Sequence, residues 1–433
     1  MARSAAPSGT GGELTDMAAH ARRVVSGVAN HSNGGERVST AMPVSAAKRD
    51  GVRRGRRVRH RKTRNSSIEL LRIIAMLMIT AHHYLLGSDI YLMTQPFGIS
   101  KVLLETFLYS GGKIGVVVFF AISAWYLSEH STIRSSLRRV WILERELLFW
   151  GVTCLTVGVV LVPHDVTATV IIKSVFPLLS DSWWYATAYC VFLLMLPCLA
   201  PALRMLGRQR HAYLAVTMFL LWTVLQGFVP VFAVGLHGGD FLSFVYLYIL
   251  MTYYRWYMRP MSVRNAWIML VAGYVLILCS VVAGGLIYHY TGNMAKIQTV
   301  LLSTEYKLPT MMVGFALFVL FINNEFYSRT INFIATSAFS VYLITDHPII
   351  YKYIWHGMLS LSRFYDSPFV VFIVIGVVIA FYGVCLVLDH IRLGLFRVTV
   401  DRHRGRWFDR LWDHATASRI GQSVQHDGVA KNG

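Results

Sequence analysis

Apolar segments long enough to cross a lipid bilayer recur through most of this chain. A transmembrane helix needs about 20 predominantly apolar residues to span a hydrocarbon core of ~30 Å. Only 15% of the 433 residues are charged, whereas an ordinary soluble domain carries roughly 25%. The pattern predicts an all-α polytopic integral membrane protein with about ten transmembrane helices, at about 66–86, 103–127, 141–162, 183–204, 211–234, 241–257, 266–289, 308–323, 332–354 and 368–388.

Basic residues cluster in short stretches between these apolar segments and produce a formal net charge of +19. Arginine-rich loops of membrane proteins lie in the cytoplasm. We therefore expect a multi-pass protein of the cell (plasma) membrane with both termini cytoplasmic, and no nucleic-acid partner. The loops that set this orientation are those at 134–139, 204–211, 255–264, 323–329 and 389–406.

Composition divides the chain into three parts. Residues 1–63 are rich in Ala, Gly, Ser and Arg and predict a disordered basic cytoplasmic tail that contacts anionic lipid. Residues 64–390 form the membrane domain, and residues 391–433 a cytoplasmic C-terminal tail. All five cysteines lie in apolar segments, so we expect them to be buried and free of disulfides.

The first apolar segment contains ionisable residues, which are costly at membrane depth and are retained mostly for function. Arg72 and His83 are eleven residues apart, which places them on one helix face about 16 Å apart, with His82 about 80° away. Glu69 precedes Arg72 by three positions and can pair with it. We expect Arg72 and His83 to face one interior chamber. The alternative is that Arg72 reaches the lipid headgroups and His83 ends the helix at the opposite interface.

Several stretches, in order, resemble the membrane acyltransferase-3 family, whose multi-span members O-acylate surface sugars. The resemblance covers about residues 64–390, and the later stretches are similar to a subgroup from exopolysaccharide gene clusters. It implies that residues 64–390 are a membrane acyltransferase domain. The similar stretches are "IELLRIIAMLMITAHHY" (68–84), "GVVVFFAISAWYLS" (115–128), "SLRRVWILERELLFW" (136–150), "SWWYATAYCVFLLMLP" (182–197), "FLSFVYLYILMTYYR" (241–255) and "FSVYLITDHPIIYKYIW" (339–355).

The resemblance implies acyl transfer from acyl-CoA, as a co-substrate and with no bound cofactor, to a hydroxyl group. A sugar hydroxyl needs a base to become a good nucleophile, so we expect His83 to be the general base or a transient acyl carrier. Arg72 would hold an anionic group of the donor or orient the site, with Glu69 fixing its guanidinium. Phosphate recognition is expected of Arg138, Arg139 and Arg145.

Each of the remaining candidates has a plainer alternative. Ser123 could contact substrate or only pack helices, and Trp184 and Tyr185 could stack on sugars or, like Trp183, anchor at headgroup level. Arg138 and Arg139 could only set topology, and Arg145 could only pair with a neighbouring glutamate. Asp346 and His347 place ionisable groups in the ninth segment and are candidates for substrate or donor binding. They follow Thr345, a position at which the family usually has histidine. No metal-ligand spacing is present, so we expect no metal.

These features predict a membrane O-acyltransferase that transfers an acyl group, with acetyl favoured, from acyl-CoA to a hydroxyl of a cell-surface or exported polysaccharide or its lipid-linked precursor. The expected partners are the acyl-CoA donor, the glycan acceptor and the lipid bilayer, and a homo-oligomer is left open. A transporter or flippase that uses Arg72, His83 and Asp346 as a pathway is the rival hypothesis. An acyltransferase-like protein without activity is the third.

Overall fold

The chain folds into helices throughout the part that a computed structural model describes, residues 64–129, 131–229, 236–293, 295–400 and 405–429. The predicted basic tail, residues 1–63, lies outside the described residues. Within these ranges there is no strand, which confirms the all-α prediction. The helices are α1 Ser66–Gly87, α2 Ile99–Leu127, α3 Ile133–Leu161, α4 Ala168–Val175, α5 Trp184–Phe228, α6 Phe241–Tyr257, α7 Val263–Thr291, α8 Leu308–Ile322, α9 Arg329–Thr345, α10 Pro348–Arg363, α11 Val370–Val398 and α12 Arg406–Val429.

Among the described residues, five helices are long and apolar enough to cross a membrane: α1, α2, α5, α7 and α11. The count becomes six if α9 and α10, which bend by 70° at their junction, form one broken span. This supports a polytopic membrane protein, but the number of about ten spans is not confirmed. Helices α6 and α8 have 17 and 15 residues and are short for a crossing of ~30 Å.

Helix α5 contains the described parts of two predicted spans, 183–204 and 211–234. Its 45 residues would extend about 68 Å if straight, more than twice the thickness of the hydrocarbon core. Gly207 interrupts it with φ 69° and ψ 174°, in the left-handed region that glycine tolerates best. The polar loop predicted at 204–211 is therefore a kink at which two helical parts of α5 meet.

Helix α1 lies at the centre of the protein. Contacts fix both its first turn and the face that it packs against α2. At its start, the Asn65 side chain accepts a hydrogen bond from the Ser67 amide at 2.9 Å, as a helix N-cap does. Along its length, glycines of α2 allow close backbone approach. A Cβ at Gly115 would lie 2.7 Å from the Ala75 carbonyl oxygen, and one at Gly112 2.3 Å from Cγ of His82. The sequence "GGKIG" (111–115) thus places α2 directly against α1.

Helices α7 and α11 lie at the periphery, and many of their apolar side chains are exposed. Such faces suit contact with lipid tails, which are as apolar as leucine. One expectation is corrected: Cys198 and Cys279 are exposed, whereas Cys154, Cys190 and Cys385 are buried as expected. All five are free cysteines, as predicted.

Two further expectations about helix boundaries and anchors are corrected. Trp183 is fully buried and donates a hydrogen bond from Nε1 to the Leu343 carbonyl at 3.0 Å, so it is not a headgroup anchor. Helix α11 continues past residue 390, where the C-terminal tail was predicted to begin, because the apolar period runs on to Val398. Helix α12 then packs on α3, where Oδ1 of Asp409 lies 3.0 Å from Nη2 of Arg134.

Candidate active site

Two adjoining cavities lie along α1, one towards each end of the helix. The histidine cavity, of about 370 Å³, is lined by His82, His83 and a set of aromatic side chains. The arginine cavity, of about 790 Å³, is lined by Arg72 and further basic residues. Three residues belong to both linings, Phe119, Tyr185 and Phe339. Arg72 and His83 therefore face the protein interior, but in two adjoining cavities instead of the single chamber expected from the sequence.

His83 is buried in the wall of the histidine cavity, with 8% of its surface exposed. Its Nδ1 lies 3.2 Å from Oγ1 of Thr345. Its Nε2 lies 3.9 Å from Oδ1 of Asp346, which is too long for a direct hydrogen bond. Asp346 also lines this cavity, because the bend between α9 and α10 occurs at this residue. A hydroxyl group lying in the cavity beside these two atoms could contact both of them.

His82 is a second imidazole in the same cavity. The helix spacing had predicted that it points away from the face shared by Arg72 and His83. Its ring centroid lies 6.4 Å from that of His83. Its Nδ1 lies 2.5 Å from the carbonyl oxygen of Tyr109. Because a carbonyl only accepts hydrogen bonds, Nδ1 must carry the proton. Because Gly112 has no side chain, it leaves space for this ring. The close packing of α2 on α1 therefore brings both histidines into one cavity, which residue spacing along α1 alone cannot predict.

Lys113, which was not among the predicted site residues, also lines the histidine cavity. Its Nζ is 3.4 Å from Oε2 of the fully buried Glu305 and 4.7 Å from the ring centroid of Trp184. A lysine inside the apolar segment 103–127 was the available signal, since such residues are rarely retained without use. Trp184 and Tyr185 complete this wall, so the two predicted aromatic candidates do lie at the cavity.

The arginine cavity is strongly basic. Its lining contains six arginines and one carboxylate, that of Glu146. Glu69 holds two of these arginines, with Oε1 at 2.9 Å from Arg64 Nε and 3.0 Å from Arg72 Nη1. The predicted contact of Glu69 with Arg72 is therefore present. The six arginines are Arg64, Arg72, Arg139, Arg145, Arg392 and Arg397.

A buried polar cluster fixes one of these guanidinium groups. Arg392 donates from Nε to Asp389 Oδ1 at 2.6 Å and from Nη2 to Glu146 Oε1 at 3.1 Å. The Ser340 hydroxyl lies 2.6 Å from the same two carboxylate oxygens. Arg392 and Arg397 were not predicted as site residues because they fall in the predicted cytoplasmic C-terminal tail, 391–433, whereas they lie on the last turns of α11.

The remaining predicted residues divide between the cavities and other parts of the fold. Ser123, Arg139 and Arg145 line the arginine cavity. Arg138 instead lies 3.7 Å from Asp409 of α12. His347 is turned away as well: its Nδ1 accepts from the Ile349 amide at 3.4 Å as the N-cap of α10. Neither Arg138 nor His347 lines either cavity, so the structure does not place them with the other candidates.

Metal ligation has no counterpart in the described part of the chain, where no group of three or more His, Cys, Asp or Glu side chains could hold a metal ion. The side chains that line the two cavities supply imidazole, carboxylate, ammonium and guanidinium groups and aromatic faces.

Comparison with known protein families decides what class of protein carries this pair of cavities. The model of the acyltransferase-3 family, described as an acyltransferase domain, matches residues 65–389, about three quarters of the chain. The chain belongs to the acyltransferase-3 family. No curated protein and no solved structure matches it. Family membership and the apolar helices together make it a membrane acyltransferase, which favours the enzyme over the transporter hypothesis.

Proposed function

We propose that this acyltransferase transfers an acyl group, most simply acetyl, from acyl-CoA to a hydroxyl of a cell-surface or exported polysaccharide. One observation carries the proposal: the cavity that contains His83 adjoins the cavity lined by six arginines, across a wall formed by Phe119, Tyr185 and Phe339. A phosphate-bearing donor and a hydroxyl-bearing acceptor could thus approach His83 from opposite ends of α1.

The arginine cavity suits the donor. Acyl-CoA carries several phosphate groups, and guanidinium groups bind phosphate oxygens through two parallel hydrogen bonds. Arg139, Arg392 and Arg397 of this cavity belong to the basic stretches 134–139 and 389–406, whose charge predicts a cytoplasmic location. We therefore place the arginine cavity on the cytosolic side of the cell (plasma) membrane, where acyl-CoA is available, with both termini on the same side.

The histidine cavity suits the acceptor. Its aromatic wall, Trp184 and Tyr185, offers flat apolar surfaces of the kind that pack on sugar rings, and its imidazoles offer hydrogen-bond acceptors for hydroxyl groups. The small volume, about 370 Å³, fits a single sugar unit better than a folded partner. The acceptor would then be presented at the face of the membrane opposite to the cytosol.

In the proposed reaction, Nε2 of His83 takes the proton of the acceptor hydroxyl while the oxygen attacks the thioester carbonyl carbon. The new C–O bond forms, the C–S bond of the tetrahedral intermediate breaks, and the proton passes from His83 to the departing thiolate. The products are the O-acylated sugar and free CoA thiol. Arg72 and the other guanidinium groups hold the donor, and Glu69 and Asp389 orient Arg72 and Arg392.

A strain that lacks this gene and the same strain complemented with it would test the proposal. Mass analysis of the surface and exported glycans should show one acyl mass missing in the deletion strain and restored on complementation. In membranes from the complemented strain, radiolabelled acetyl-CoA should transfer its label to the glycan. Glycans with unchanged acylation after deletion would contradict the proposal.

A further inference from the structure

The hydroxyl of Thr345 lies between a backbone carbonyl and the catalytic candidate His83. Thr345 is fully buried at the last position of α9. Its Oγ1 lies 3.1 Å from the Tyr342 carbonyl oxygen, to which it donates, and 3.2 Å from Nδ1 of His83. A threonine hydroxyl commonly bonds the carbonyl three or four residues earlier in a helix.

The bonding of this hydroxyl is linked to the tautomer of His83. A hydroxyl has one proton to donate, and a carbonyl can only accept. With the Thr345 proton on the Tyr342 carbonyl, the contact with His83 is a hydrogen bond when Nδ1 donates to Oγ1. We propose that Thr345 is a positioning residue that holds neutral His83 in the Nδ1–H tautomer, with an unprotonated Nε2 turned to the cavity.

The inference rests on the proposed role of His83 as the base and specifies how that role is secured. The opposite tautomer would present an N–H to the acceptor hydroxyl and could not take its proton. In the described part of the chain, Nε2 lies 3.9 Å from the acceptor Asp346 Oδ1, without a direct hydrogen bond to hold a proton on this nitrogen. His82 follows the same rule, because the Tyr109 carbonyl fixes its Nδ1–H.

The position of Thr345 is itself secured by the packing around it. Its backbone carbonyl accepts a hydrogen bond from Trp355 Nε1 at 3.0 Å. Trp183 binds the neighbouring carbonyl of Leu343 in the same way. Both indoles are fully buried. Two indole hydrogen bonds therefore hold the end of α9 in place. They keep the Oγ1 atom of Thr345 next to Nδ1 of His83.

Histidine-selective ¹⁵N NMR of the purified full-length protein in lipid nanodiscs would test the proposal. The spectrum of His83→Gln assigns the His83 signals by difference. We expect wild-type His83 to show a protonated Nδ1 and a bare Nε2, and Thr345→Ser to keep this pattern. Thr345→Val, which lacks the hydroxyl, should show the Nε2–H form. Its kcat should fall about 10- to 100-fold, as when an orienting hydrogen bond to a functional histidine is lost, while the KM for acetyl-CoA changes less than about twofold.

A wild-type His83 signal protonated at Nε2 would overturn the proposal, and so would a Thr345→Val protein that keeps both the Nδ1–H signal and full kcat. If Thr345→Val does not fold, the wild-type and Thr345→Ser spectra still decide the tautomer. Absence of acyl transfer from the wild type as well as from every variant would refute the proposed function, while the spectra would still confirm or refute the tautomer.

Discussion

The two cavities share helix α1 and three side chains, yet they are built from opposite kinds of groups. The arginine cavity is the larger, about 790 Å³ against about 370 Å³, and long guanidinium side chains from α1, α3 and α11 line it. The histidine cavity is aromatic, and its imidazoles each contact a defined partner. Under the proposed function, the charged end of α1 binds the donor and the end with fixed side-chain contacts carries out the chemistry.

This division gives each cavity its own kinetic signature. Groups that bind a donor equally in the ground and transition states change KM, whereas groups that act only in the transition state change kcat. Substitutions in the arginine cavity should therefore raise the KM for acyl-CoA. Substitutions at the imidazoles should lower kcat.

The largest effect is expected from His83→Gln. Removing a general base costs about 10²- to 10⁴-fold in rate, so kcat for acetyl transfer should fall by that factor while the KM for acetyl-CoA stays within about threefold. Transfer of label from acetyl-CoA in membranes measures both quantities. His237→Gln is the matched control, since the His237 side chain is exposed outside both cavities. A His83→Gln enzyme with undiminished kcat would remove the distinction between the two cavities.

Arg392→Met should affect stability more than binding. The substitution leaves the carboxylates of Asp389 and Glu146 without the buried guanidinium between them, and loss of one partner of such a cluster costs about 3–5 kcal/mol. Chemical unfolding in detergent micelles measures the loss. Arg397→Met, at an exposed arginine of the same cavity, should unfold like the wild type. Equal stability of the two variants would mean that the cluster does not support α11.

Arg139→Gln and Arg138→Gln form a matched pair for donor binding. Arg139 lines the arginine cavity, whereas its neighbour Arg138 pairs with Asp409. A hydrogen bond to a charged group contributes about 1.5–3 kcal/mol, so Arg139→Gln should raise the KM for acetyl-CoA about 10- to 100-fold. Arg138→Gln should leave it within about twofold. Equal increases in the two variants would indicate a general electrostatic effect in place of a donor contact.

The smallest effect is expected from Gly112→Ala, which tests how packing shapes the histidine cavity. The added Cβ would meet the His82 ring at 2.3 Å, and overpacking of this kind costs about 1–3 kcal/mol. The variant should be less stable and should bind the acceptor more weakly, with an unchanged KM for acetyl-CoA. Gly383→Ala is the control, because nothing lies within 4 Å of its Cβ position. Identical behaviour of the two variants would show that His82 moves freely.

The sequence predicted those features that depend on local order along the chain. The pairing of Glu69 with Arg72 and the interior direction of His83 both follow from positions within a few helical turns. The helical class and the family followed from apolar period and from ordered stretches between residues 65 and 389.

The features that depend on packing between distant segments could not be predicted in this way. Thr345 meets His83 only because α9 packs beside α1, and His82 enters the cavity only because Gly112 lies against it. The place of Arg392 in the arginine cavity could not be predicted because it depends on α11 continuing past residue 390. The number of spans could not be predicted either. Helices of 15 or 17 residues are short for a membrane crossing, and a kink at one glycine can lie within one span or between two.

An electron cryomicroscopy structure with a non-hydrolysable acetyl-CoA analogue would test the division between the two cavities most directly. We predict phosphate density against Arg72, Arg139 and the other guanidinium groups of the arginine cavity, with the acyl end at the wall formed by Phe119, Tyr185 and Phe339, facing His83. Nucleotide density in the histidine cavity, or an acyl end directed away from His83, would contradict it.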